Sequence, residues 1–156
     1  GYLALVEALR RAIPDVVLTS DVIVGFPGET TAEFQDTLRV LEAVRFDALF
    51  TFIYSPRAGT PAAKLPDPLS KAEKGANFQR LVDLQNRISA EKHRAYVGKT
   101  LRVLVDGESG DPRWPLSART NGGRLVHLAG APEAVGSFRD ARVTDSNTWA
   151  LFGELV

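Results

Sequence analysis

Two apolar runs stand out along the chain, at residues 16–24 (VVLTSDVIV) and 46–54 (FDALFTFIY). Between them, residues 31–44 carry Phe34, Leu38 and Leu41 at helical spacing, behind a Thr30/Glu33 capping box. Strand, helix, strand predicts a parallel βαβ unit, because parallel strands need a crossover of a dozen or more residues. Each run is followed by a Gly/Pro-rich loop: GFPGET at 25–30 and YSPRAGT at 54–60. Both loops must then emerge at one carboxyl edge of the sheet, where α/β proteins bind ligands. An amphipathic helix precedes the unit and ends at Ile13, before the Pro14-Asp15 turn.

Residues 55–69 hold four prolines, too many for a helix or a central strand, and form an ordered loop or linker. A long helix starts at Ser70, capped with Glu73, and its stripe of Phe78, Leu81, Leu84 and Ile88 predicts a buried face. Arg80, Asp83, Arg87, Glu91 and Arg94 line the opposite face. Their mixed signs favour solvated surface with i,i+4 pairs, and contact with RNA is the alternative. After Gly98 the texture turns to short strands, at 100–105, 116–120, 124–128, 138–144 and 149–156. Asn121-Gly122-Gly123 is a hairpin signal, and 111–115 reads as a loop. Five short strands predict a small closed all-β barrel of the OB-like kind, which often binds nucleic acid. The chain therefore divides into 1–69, a connecting helix at 70–97, and 98–156, with the boundary near Val97.

Composition narrows the chemistry. The chain has 156 residues, no cysteine, and only His93 and His127 as imidazoles. Disulfides, Cys-rich zinc sites and a cluster held by this segment are excluded, and a His-based metal site is disfavoured. No apolar run approaches the length of a membrane span. Net charge is zero but uneven: residues 1–69 carry six basic and nine acidic groups, and 70–98 carry six and three. Residues 99–156 carry seven of each, so nucleic-acid binding would rest on local patches. The chain opens at Gly1 with a helix already under way. A lone βαβ unit also leaves sheet edges exposed, so 1–69 reads as an incomplete domain and the chain as the C-terminal piece of something longer.

In the first loop, Gly25 and Gly28 permit a sharp turn and Pro27 stiffens it, while Glu29 sits beside a helix N-terminus. Asp21 is a charge in an otherwise apolar strand, costly to bury unless paired, and so serves a site or an ion pair. Arg57 is held between Pro56 and Gly59, either capping loop carbonyls or contacting an anion or substrate. Tyr54 is a core aromatic or a stacking surface. Arg119, Asn121, Arg124 and His127 lie on or beside the predicted hairpin, where basic and amide groups suit phosphates and unstacked bases.

The segments SDVIVGFPGET, FDALFTFIYSPRAGTPA, LQNRIS, YVGKTLRVLV, RTNGGRLVHL and WALFGELV resemble the C-terminal part of radical S-adenosylmethionine tRNA methylthiotransferases of the MiaB type. The resemblance covers essentially the whole chain, in order. It implies that 1–69 end a partial TIM barrel and that the region from about Lys99 is a TRAM domain, an RNA-binding β-barrel. It implies methylthiolation of C2 of N6-isopentenyladenosine beside the tRNA anticodon, using S-adenosylmethionine and two 4Fe–4S clusters. The cluster cysteines would lie upstream, leaving this segment alone inactive. By resemblance, the strand and loop from Asp21 to Glu29, with Gly25, Pro27 and Gly28, lie along the adenosylmethionine pocket. Tyr54, Ser55 and Arg57 would lie near that pocket or the target base, and Arg119 and Arg124 would hold tRNA. Ala118 departs from the glycine usual before the Arg-Thr pair. Sister families that modify a ribosomal-protein aspartate or threonylcarbamoyl-adenosine share the barrel, but RTNGGRLVHL looks more like the isopentenyladenosine branch. A cytoplasmic monomer with tRNA as partner is the expectation. A non-enzymatic RNA-binding module and a generic nucleotide-binding domain are the competing readings.

Overall fold

A computed structural model describes all residues, Gly1–Val156, as two compact units, Gly1–Ile88 and Ser89–Val156. The division between them falls within the connecting helix expected at 70–97. The helix Lys71–Arg94 runs past it without interruption.

In the first unit, α1 spans Tyr2–Ala12, β1 Thr19–Val24, α2 Thr31–Val44 and β2 Ala48–Ile53, and α3 (Lys71–Arg94) begins after a short 3₁₀ turn at Pro61–Lys64. The helix expected at 31–44 forms with those bounds, and its capping box is complete. Thr30 accepts from the Glu33 amide (3.2 Å), and the Glu33 carboxylate accepts from the Thr30 amide (2.8 Å). Ser70 and Glu73 repeat the arrangement at the start of α3. These bonds hold both glutamates below their ordinary carboxylate values: at Glu33 the backbone bond from Thr30 leads, and at Glu73 the side-chain bond from Ser70.

The strands β1 and β2 are shorter than the apolar runs that contain them, and they pair in parallel, Thr19 with Ala48 through Val24 with Ile53. The register is pinned where the strands begin. Asp47 and Leu18 exchange two bonds, amide to carbonyl and amide to carboxylate, both 2.8 Å. One sheet face, through Val22, Val24 and Leu49, joins a core of Phe34, Leu41, Val44, Phe46, Leu81, Leu84 and Ile88. Each such large apolar side chain, fully buried, stabilises by about 1.5–3 kcal/mol. The other face stays open. Apolar runs this continuous predict burial on both faces of a parallel sheet, but burial here alternates.

The second unit is a closed barrel of β3 (Thr100–Asp111), β4 (Trp114–Thr120), β5 (Leu125–Ala129), β6 (Phe138–Ser146) and β7 (Leu151–Leu155). The strand order is β3-β4-β5-β7-β6, with β5 and β7 parallel, and β3–β6 pairing closes the ring. This is the five-stranded barrel expected, and closure removes the exposed edges. Alternate residues point inward: Val103, Val105, Leu116, Ala118, Val126, Leu128, Ala141, Val143 and Leu151 fill it. Two details correct the sequence reading. Residues 111–115 are not a loop, because β3 runs on through two register shifts to Asp111 and turns at once into β4. The last strand starts at Leu151, since the Asn147 side chain accepts from the Trp149 and Ala150 amides (both 2.8 Å) and makes a turn there.

At Gly153, beside the register shift between Val143 and Asp145, strand β6 approaches so closely that a Cβ would sit 2.1 Å from the Arg142 carbonyl oxygen. Gly153→Ala should cost roughly 1–3 kcal/mol or more by overpacking. Gly110→Ala meets open space and should change stability by less than about 0.5 kcal/mol. Urea denaturation of the two variants checks this, and equal midpoints would contradict it.

Candidate functional site

The parallel pairing delivers both loops to one edge. Tyr54, the first residue after β2, donates its amide to the Val24 carbonyl (2.8 Å), extending the ladder to where the first loop departs. Gly25 takes a left-handed φ of 72°, and its amide donates to the Glu29 carboxylate at 2.7 Å. Glu29 therefore closes its own loop as well as standing near the start of α2. Gly25 is needed on steric grounds too, since a Cβ there would lie 2.7 Å from the Lys74 side chain. The buried Lys74 crosses over this glycine from α3, pairs with Asp67 and places its ammonium 5.5 Å from the Tyr54 ring centroid. One lysine thus ties the first loop, the second loop and the proline-rich segment together.

Over the open face of the sheet lies a cavity of about 790 Å³. Its floor is apolar: Ile23, Phe50 and Phe52 are 53%, 59% and 55% exposed, and Ile23 sits opposite Phe52 in the register. Asp21, opposite Phe50, is the carboxylate on this floor, and Tyr54, Ser55, Arg57 and Thr60 form the rim. The burial argument for Asp21 does not hold, because Asp21 is exposed on the open face. Tyr54 is half-buried and meets Phe26 edge-on at 5.2 Å, while its hydroxyl is buried without a hydrogen-bond partner. An orphaned hydroxyl beside an apolar floor suits a ligand that supplies an acceptor or donor there.

The structure thus gathers Asp21, Tyr54, Ser55 and Arg57 around one cavity. Gly25, Pro27, Gly28 and Glu29 build the adjoining loop and do not line it. Sequence reasoning missed the apolar floor, although the period-2 pattern of Phe50 and Phe52 carried the signal. It also missed Lys74, which reaches Gly25 from 49 positions along the chain and left no local signal.

On the barrel, Asn121 is exposed at the tip of the β4–β5 hairpin, and Arg119 is exposed with its Nε 3.3 Å from Asp106. Arg124 differs. It is 8% exposed, its guanidinium lies 5.0 Å from the Tyr96 ring centroid, and it belongs to the packing more than to the presented surface. His127 is half-buried and stacks on Phe152 at 5.5 Å. At the β3–β4 turn, Arg113 bonds Asp111 through its backbone and guanidinium and lies 4.5 Å from the Trp114 ring centroid. The side-chain hydrogen bond from Arg113 is the leading cause holding the Asp111 carboxyl below its ordinary value. On the helix, Arg87 pairs with Glu42 (3.4 Å) and Arg80 lies over Phe34 (5.2 Å), which makes these two charges part of the α2–α3 surface.

No group of three or more His, Asp or Glu side chains is placed to hold a metal ion, and there is no thiolate to ligate an iron–sulfur cluster. The residues present do not fit such a cluster. The cavity's donor set, one carboxylate, hydroxyls and a guanidinium over an apolar floor, suits a ligand that combines apolar and polar groups.

Residues 94–156 match the TRAM domain model. Over 155 residues, 99% of this chain, it is 44% identical to a protein of Thermoanaerobacter sp. (strain X514), covering 33% of that protein. The corresponding figures are 43% for one from Clostridium novyi (34% covered) and 46% for one from Anoxybacillus flavithermus (29% covered). All three carry the name tRNA-2-methylthio-N(6)-dimethylallyladenosine synthase. The chain spans about a third of the length of these relatives. The resemblance to methylthiotransferases read from the sequence is borne out.

The clasp over Gly25 has a measurable consequence. Gly28 also has a positive φ (86°) but open space around it. Gly28→Ala should therefore cost only the left-handed strain of about 1–2 kcal/mol, and Gly25→Ala should cost at least about 1 kcal/mol more. A double-mutant cycle with Lys74→Ala should return part of that excess. Equal losses in urea denaturation for the two glycine variants would contradict the clasp.

Proposed function

We propose that this chain is the C-terminal part of a tRNA-2-methylthio-N6-dimethylallyladenosine synthase, a radical S-adenosylmethionine enzyme that methylthiolates C2 of the modified adenosine beside the anticodon. Dimethylallyl and isopentenyl name the same N6 substituent here. The observation that carries the reading is similarity that covers 99% of the chain, and with it both units. On this reading residues 1–69 are the end of a partial TIM barrel, and the open face of β1 and β2 is part of its interior. The exposed Ile23, Phe50 and Phe52 support this, since an apolar floor of this kind is usually covered or occupied.

Each residue at the sheet edge then has a task. Phe50 and Phe52 offer a flat apolar surface to an adenine or to the isopentenyl group. Asp21, Ser55 and the orphaned Tyr54 hydroxyl hydrogen-bond the polar groups of a nucleoside, and Arg57 contacts a carboxylate or phosphate. The loop of Gly25, Pro27, Gly28 and Glu29, fixed by Lys74, adjoins the cavity without lining it and braces the edge beside which S-adenosylmethionine lies. That cofactor and its clusters supply the radical chemistry. Cluster ligands are not among these residues, so both 4Fe–4S clusters belong to the rest of the enzyme and this chain alone is not a catalyst. The barrel holds tRNA through Arg119 and Asn121 at its hairpin, with His127 beside them. The protein works in the cytoplasm, where its tRNA is, as a monomer.

The test is RNA selectivity. By fluorescence anisotropy, the chain should bind an anticodon stem-loop at least about tenfold tighter than a blunt duplex of equal length, because unstacked loop bases are what such modules read. The affinity should fall with added salt. Equal affinity for both RNAs, or none for either, would contradict the proposal.

A further inference from the structure

The β3–β4 turn carries a feature that the cavity and the Asn121 hairpin do not account for. Arg113 is exposed, 75% at its side chain, yet it is not free to wander. Its backbone amide donates to Asp111 Oδ1 at 2.9 Å, and its Nε and a terminal nitrogen reach the two carboxylate oxygens at 3.4 and 3.2 Å. The guanidinium is thereby held over the Trp114 ring, 4.5 Å from its centroid. Trp114 is backed in turn by Phe152 at 4.6 Å, and Phe152 by His127 at 5.5 Å. Strands β4, β7 and β5 thus supply successive rings of one stack, tilted by 49° between Trp114 and Phe152 and by 26° between Phe152 and His127, and capped at its outer end by the guanidinium. The turn is rigid from behind as well: the Ser109 hydroxyl donates to the Trp114 carbonyl and accepts from the Asp111 amide.

We propose that this stack is a platform for one unpaired RNA base, which lies on the outer face of the Arg113 guanidinium. The inference rests on the tRNA reading above and adds a second contact point to it. Four features favour a base. The guanidinium is planar, and unstacked RNA bases stack on guanidinium planes as well as on aromatic rings. Its orientation is set before binding, so little rotamer freedom remains to be lost. The aromatic layers beneath are half-buried, which makes them a support and leaves the guanidinium as the accessible surface. Finally, the Asp111 carboxylate neutralises much of the local charge, so attraction here comes from stacking more than from the phosphate field. A phosphate contact would need that charge unpaired, as on an exposed lysine.

The experiment uses the whole chain and an anticodon stem-loop RNA. Trp149→Phe leaves Trp114 as the sole indole, and RNA should quench its emission. Arg113→Lys keeps the charge but loses the plane, and Trp114→Leu removes the support. Each should weaken binding between about 5-fold and 150-fold, the range for one stacked base. Arg113 is on the surface, so its variant stays informative if Trp114→Leu unfolds, which circular dichroism would show. Wild-type affinity in Arg113→Lys, or unchanged Trp114 emission on saturation, overturns the platform while leaving the tRNA reading intact. Failure of the unaltered chain to bind RNA at all overturns both.

Discussion

The register between β1 and β2 governs everything in the first unit. It is fixed at one end by the exchange of hydrogen bonds between Asp47 and Leu18, and at the other by the Tyr54 amide on the Val24 carbonyl. Because strand side chains alternate with period two, a slip of one residue would exchange the two faces. Val22 and Val24 would leave the core, and Asp21 and Ile23 would enter it. With the register as it stands, the polar residue falls on the open face together with Phe50 and Phe52, and both loops leave the same edge. The candidate site is a consequence of that pairing.

The two loops nevertheless differ in how they are held. The first is fixed by contacts that tolerate little change: a glycine with no room for Cβ, a carboxylate closing the turn, and a lysine stem laid across it. The second leans on the first through Tyr54 and Phe26, and presents Ser55 and Arg57 outward. A firm loop beside a presented one is a workable arrangement for a ligand wall. The barrel solves a different problem. Its closed ring leaves side chains on the strands and turns as its surface, and two of those turns are braced by Asp111 and Asn147.

Much of this was legible in the sequence where the cause is local. The Thr30/Glu33 and Ser70/Glu73 boxes announce their helices, and 31–44 forms with the expected bounds, because capping and periodicity act within a few residues. The five barrel strands follow from short alternating runs. What escaped depends on distant partners. Asp21 read as a buried charge because its strand is apolar throughout, and only the one-sided packing of the sheet exposes it. Arg124 read as a hairpin cation, but Tyr96, 28 positions away, receives its guanidinium. The Arg113, Trp114, Phe152 and His127 stack needs the β4–β5–β7 order, which no local pattern encodes. The loop expected at 111–115 concealed it further.

On the proposed reading, the open β1–β2 face and the second loop, braced by the first, form one wall of a nucleoside-bearing cofactor site. The most direct measurement is a titration of the isotopically labelled chain with S-adenosylhomocysteine at millimolar concentration, followed by amide chemical shifts. Saturable shifts grouped at Asp21, Ile23, Tyr54, Ser55 and Arg57, with the barrel strands unmoved, are the expected result. Shifts absent at those positions, or centred on the barrel, would contradict it.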